Sequence, residues 1–109
     1  MADTLKVLGQ LDPGATTLTD LYTVPASTSA MLSHLVVCNR SATPTTYRIS
    51  VAVAGAADAT KQYLFYDVPI GGNTSHTWHL GISLATTDKV RVYATLATLS
   101  FNLFGVEVT

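Results

Sequence analysis

The sequence predicts an all-β chain, a single-domain antiparallel β-sandwich, jelly-roll-like, of about eight strands. Three observations predict it. Apolar residues recur at every second position in one segment after another. Gly, Pro, Asn and Asp punctuate the chain about every ten residues. No segment of useful length carries the apolar repeat of an amphipathic helix.

The first strand is expected at 4–10, closed by Asp12-Pro13-Gly14, and the second at 19–24, stopped by Pro25, which has no amide to give a central ladder. Residues 30–39 are the most apolar stretch. Leu32, Leu35, Val36 and Val37 leave little polar surface there, as in a central strand covered on both faces, and Cys38 in the same run is expected to be a buried, inert thiol. After a turn at 39–44, Tyr47, Ile49, Val51 and Val53 alternate with Arg48 and Ser50. Residues 55–60 are Ala-rich but too short for a stable helix and read as a loop.

The fifth strand, 62–69, alternates Leu64, Tyr66 and Val68 against Tyr63, Phe65 and Asp67, so large side chains occupy both faces. One face belongs to the core and the other to a surface that something covers. Gly71-Gly72-Asn73 supplies a turn with positive φ. A strand follows at 75–80, then a corner at 81–88 with Ile82 and Leu84 tucked inward. From 89 to 109 the alternation resumes through Val90, Val92 and Ala94 and then Leu99, Phe101 and Leu103. A strand running to the terminus needs neighbours to hold it, so the terminus is expected inside a sheet, with Gly105 as a bulge or bend.

At 109 residues the chain fits one domain, 1–109. Charged residues make up 12% of it, about half the usual share, while 48% is hydrophobic, a balance that excludes disorder. The net charge is −1, and Lys6, Arg40, Arg48, Lys61, Lys89 and Arg91 are scattered, which argues against nucleic-acid binding. Near-neutrality also protects poorly against self-association. Cys38 is the only cysteine, so no intrachain disulfide exists, and folding in a reducing cytoplasm is expected. The start Met1-Ala2-Asp3-Thr4 shows no signal peptide, and no apolar run is long enough for membrane insertion.

Catalytic or metal chemistry is not expected. His76 and His79, three apart on a strand, project to opposite faces, so at most one can join His34; no metal site and no cofactor is predicted. Asp3, Asp12, Asp20, Asp58, Asp67, Asp88 and Glu107 occur singly, mostly where turns and strand ends explain them, and no Gly-x-Ser-x-Gly elbow or phosphate loop is present. Tyr63, Phe65, Tyr66, Trp78 and Tyr93 are the candidate contact residues: they fill the core, seal a contact between subunits, or offer ring faces to a sugar.

The order of four segments is distinctive: Leu21-Tyr22-Thr23-Val24-Pro25-Ala26; Val36-Val37-Cys38-Asn39-Arg40-Ser41; Lys61-Gln62-Tyr63-Leu64 leading to Tyr66-Asp67; and Asp88-Lys89-Val90-Arg91-Val92-Tyr93-Ala94. In these the chain resembles small β-sandwich virion structural proteins of tailed bacteriophages, over about residues 6–107. The resemblance implies a non-enzymatic protein of the virion, made and folded in the bacterial host cytoplasm and present in many symmetric copies. A capsid decoration (cement) or head/neck accessory role is favoured because the chain has no coiled-coil stalk or Gly-rich shaft. The alternative is a tail-fibre or baseplate receptor-binding or carbohydrate-binding module. Its implied partners are itself, as a homo-oligomer with a trimer favoured, the major capsid or other virion proteins, and a host-surface glycan in the alternative reading.

Overall fold

Two-residue alternation puts one set of side chains of each strand on a common face, and the strands bury that face by stacking as two layers. The computed structural model describes residues 2–109. The strands are β1 (Asp3–Leu11), β2 (Thr19–Thr23), β3 (Ser29–Asn39), β4 (Thr45–Ala52), β5 (Tyr63–Ile70), β6 (Ser75–Leu84), β7 (Lys89–Ala94) and β8 (Leu99–Val108); single 3-10 turns at Val53–Gly55 and Thr60–Gln62 interrupt the β4–β5 connection.

One sheet has the order β1-β8-β3-β6 and the other β2-β7-β4-β5, with every strand pair antiparallel. The pairs β4·β5, β3·β6, β2·β7 and β1·β8 nest outward from the β4–β5 connection, so the chain is a long ribbon hairpin. Rolling that ribbon brings β3 against β8 and β4 against β7. This is the eight-stranded jelly roll, as the sequence predicts.

A single core runs between the sheets. Leu32, Leu35, Val37, Leu99, Phe101 and Leu103 from the first sheet meet Tyr47, Ile49, Ile70, Val90, Val92 and Ala94 from the second, all essentially without solvent exposure. At roughly 1.5–3 kcal/mol per buried aliphatic or aromatic side chain, this layer is the main favourable term in folding. The terminus is built in as expected: β8 lies between β1 and β3, and Ala2 and Thr109 exchange N–H to C=O bonds of 2.9 Å that extend the ladder.

Four expectations are corrected by backbone irregularities. β6 does not end at Leu80: Gly81, at φ +59°, absorbs a bulge, and the strand continues to Leu84 with Ile82 and Leu84 on the inner face. Gly105 is not itself a bulge. β8 stays regular while its neighbours bulge, β1 between Val7 and Gly9 and β3 between Leu32 and His34. Gly105 is required because a Cβ there would lie 2.2 Å from the Met31 carbonyl oxygen. In β5 the strict alternation fails at Asp67, at φ +50°, where the register slips: Phe65 and Val68 pack on the core while Tyr66 and Asp67 are both exposed. β4 ends at Ala52, and Val53 leaves the sheet 71% exposed in the first 3-10 turn.

β3 is interior to its sheet, but its outer face is not covered. Met31 is exposed, and the Cys38 thiol, expected in the core, belongs to a half-buried residue of that outer row.

Candidate functional site

The five aromatic candidates divide between two places. Phe65 on β5 and Trp78 on β6 meet across the two sheets, with ring centroids 4.5 Å apart. Beneath them the Trp78 indole N–H donates to the Tyr47 hydroxyl at 2.7 Å, and that hydroxyl lies 2.8 Å from His76 Nδ1. Indole can only donate, so all three groups are satisfied when Tyr47 passes its own proton toward His76 Nδ1. Tyr47 is fully buried, and burial pushes its hydroxyl pKa up. Phe65 and Trp78 therefore close one wall of the sandwich, over a polar link between the layers.

Tyr63, Tyr66 and Tyr93 gather on the second sheet around Arg48, a residue the sequence reading assigned no functional role. Arg48 pairs in register with Tyr93, and its guanidinium carbon sits 4.2 Å from the Tyr66 ring centroid and 4.5 Å from that of Tyr93. Arg48 Nε donates to Asp67 Oδ1 at 2.7 Å, which holds the guanidinium firmly protonated. Tyr63 meets Tyr66 edge-on at 5.1 Å and donates its hydroxyl to Asp58 at 3.1 Å. The slip at Asp67 completes the cluster, since it turns Asp67 outward beside Tyr66, which alternation from Phe65 already places on that face. Tyr66 is 57% exposed.

The same sheet face carries a second charged group. Asp20 accepts from Lys89 at 2.8 Å and from Arg91 at 3.1 Å, and the Lys89 hydrogen bond leads the effects that hold its carboxyl below the usual range. Arg91 also donates to the carbonyls of Ala56 and Gly55, pinning the β4–β5 connection.

Asp88 and Glu107 serve structure. Asp88 caps a corner, accepting from the Ala54 amide at 2.8 Å and the Ala85 amide at 2.9 Å. Glu107 faces inward from β8; it accepts from the Tyr22 hydroxyl of the opposite sheet at 2.5 Å and from Lys6 at 3.0 Å. Those two hydrogen bonds, Tyr22 first, hold the Glu107 carboxyl below its ordinary value, while burial and then Glu107 push the Tyr22 hydroxyl well above its own. His79 does join His34, across β3 and β6 with ring centroids 4.4 Å apart, while His76 lies on the inner face. Among the described residues no three metal-ligating side chains converge.

Two surface depressions are open. One is lined by Gln10, Asp12, Arg40 and Asn102 at the β1–β8 end, and another by Leu5, Val7, Phe104 and Val106 on the first sheet. Such an arrangement supplies contact surfaces, and Arg48, Asp67, Asp20, Lys89, Arg91, Asp88, Lys6 and Glu107 are engaged in ion pairs, a cap and an inter-sheet link.

No protein-family model matches this chain, and no curated protein matches it. Solved structures do. A chain in the structure of infectious bursal disease virus, Gx strain, superposes with a TM-score of 0.55 at 9% identity, covering 97% of this chain and 31% of that one. A chain of the T13 viral particle of the same virus gives a TM-score of 0.55 at 10% identity, over 96% of this chain and 30% of that one. This chain thus spans about a third of the length of the chains it matches. At that identity the likeness concerns the fold: the jelly roll described above is one that chains of a viral particle also contain.

Proposed function

We propose that this protein is a non-enzymatic structural component of a bacteriophage virion, a capsid decoration or head/neck accessory protein that acts as a symmetric homo-oligomer. The observation that carries the reading is the fold. An eight-stranded jelly roll, superposable over almost its whole length on chains of a viral particle, presents broad sheet faces. A decoration protein works by bridging neighbouring shell subunits, and binding only the assembled lattice stabilises that lattice by mass action.

Within this reading the docking side is the second sheet. Tyr66 and Tyr93 flank Arg48 there, and aromatic residues with arginine are the types most enriched in binding hot spots. Phe65 and Trp78 back this surface from within and fix where β5 lies.

Co-sedimentation with shells of the phage that encodes the chain tests the proposal. Wild-type protein is expected to pellet with assembled shells, at a copy number that follows shell symmetry, and Tyr66→Ala with Arg48→Ala is expected to weaken this at least tenfold. Glycan arrays run on the same material address the tail-fibre alternative. Binding to glycans with no binding to shells would replace the decoration reading.

A further inference from the structure

The two outer faces of the sandwich differ in charge. Arg48, Asp67, Asp20, Lys89 and Arg91, with all their ion pairs, belong to the second sheet. On the first sheet the inward rows include Lys6 and Glu107, which pair with each other. Its outward rows are a different matter: of the six basic and seven acidic residues in the chain, only Asp3, at the start of β1, lies there.

Cross-strand register assembles an apolar stripe on this face. Leu5 of β1 opposes Val106 of β8, which opposes Met31 of β3; Val7 opposes Phe104 in the next row. Leu5 is 83% exposed, Met31 53% and Val7 46%. Antiparallel sheets that meet water on one side ordinarily carry polar alternation on that side, and the first sheet breaks the rule on three adjacent strands. Across the sheet the Met31 row continues into Ser83 and the Phe104 row into the paired rings of His34 and His79.

We propose that the outer face of β1-β8-β3-β6 is the surface by which this chain packs against a second copy of itself. Area and charge both point to self-association. Four strands at ~4.8 Å spacing and about ten residues of ~3.3 Å each span on the order of 600 Å² in projection. Side-chain relief brings this near the roughly 800 Å² per partner of a standard stable interface. With Asp3, on the edge strand, as its one Asp, Glu, Lys or Arg, this face carries little electrostatic penalty against its own copy, and interfaces between identical subunits are the more apolar class. The arrangement leaves the charged, aromatic second sheet free on every copy. It rests on the virion reading only for the role of that second face.

Light scattering coupled to size exclusion tests the proposal on the full chain, at micromolar concentration. Wild-type protein is expected to have a mass of at least two 11.5 kDa chains. The double variant Leu5→Lys with Met31→Lys, both at exposed positions that keep the fold, is expected to fall to the mass of one chain with an unchanged far-ultraviolet circular dichroism spectrum. Tyr66→Ala, on the opposite side, is expected to keep the wild-type mass. A monomeric wild-type protein, or a double variant that stays assembled, overturns the proposal. If wild-type protein is monomeric and the double variant loses only its binding to shells, the face serves a shell protein instead; the self-association proposal then fails while the virion reading stands.

Discussion

Tyr47 shows how much one hydroxyl holds. It is fully buried and joins the Trp78 indole to the His76 ring, so Tyr47→Phe leaves a nearly buried N–H and a ring nitrogen without their partner. The expected cost is about 1–3 kcal/mol, read from the urea midpoint, with a change in Trp78 fluorescence. Glu107 and Tyr22 make the equivalent link elsewhere in the sandwich and give it a pH signature. Because the folded Glu107 carboxyl lies below its ordinary 4.5, its contribution to stability is complete above that pH and is lost as pH falls through the lower folded value. Because the folded Tyr22 hydroxyl lies above its ordinary 10.0, its contribution is complete below that pH and is lost as pH rises through the folded value. Thermal melts across the pH range are therefore expected to be flat in the middle and to fall at both ends. Glu107→Gln is expected to flatten the acid limb; an acid limb identical to the wild type would show that the link does not contribute.

At the scale of elements, the strands were legible and the bulges were not. Alternation alone places the core rows of β8, with Leu99, Phe101 and Leu103 inward, because the side-chain period of a strand is two and one face must be buried. What breaks alternation is a single residue in the left-handed region, and a non-glycine such as Asp67 gives no sign of this in composition. The ion pair at the centre of the Arg48 cluster was missed for that reason: alternation from Phe65 already turns Tyr66 outward, and the slip brings Asp67 to the same side, where it meets Arg48. Gly81 and Gly105 look alike in sequence and have different jobs. Gly105→Ala drives a Cβ into the Met31 carbonyl and is expected to cost upwards of 3 kcal/mol or to prevent folding. Gly81→Ala meets no atom within 4 Å and strains only φ, for about 1–2 kcal/mol. Equal costs at the two sites, measured by chemical unfolding, would refute the distinction.

At the scale of the whole molecule, rolling one eight-strand ribbon makes a slab of 45 × 27 × 19 Å with two unlike faces. Composition signals weak protection against association through its low charge content, and only the fold reveals that most ion-paired surface charge lies on one sheet. A neutral face suited to another copy and a charged aromatic face suited to a different partner are the two contacts that a protein repeated on a particle requires. Cryo-electron microscopy of virions of the proposed kind that carry the chain's gene tests this most directly. The account predicts jelly-roll density repeated at symmetry-related positions on the head or neck, with Leu5 and Met31 covered by a neighbouring copy and Tyr66 turned toward another virion protein. Purified infectious particles that lack the chain altogether would contradict it.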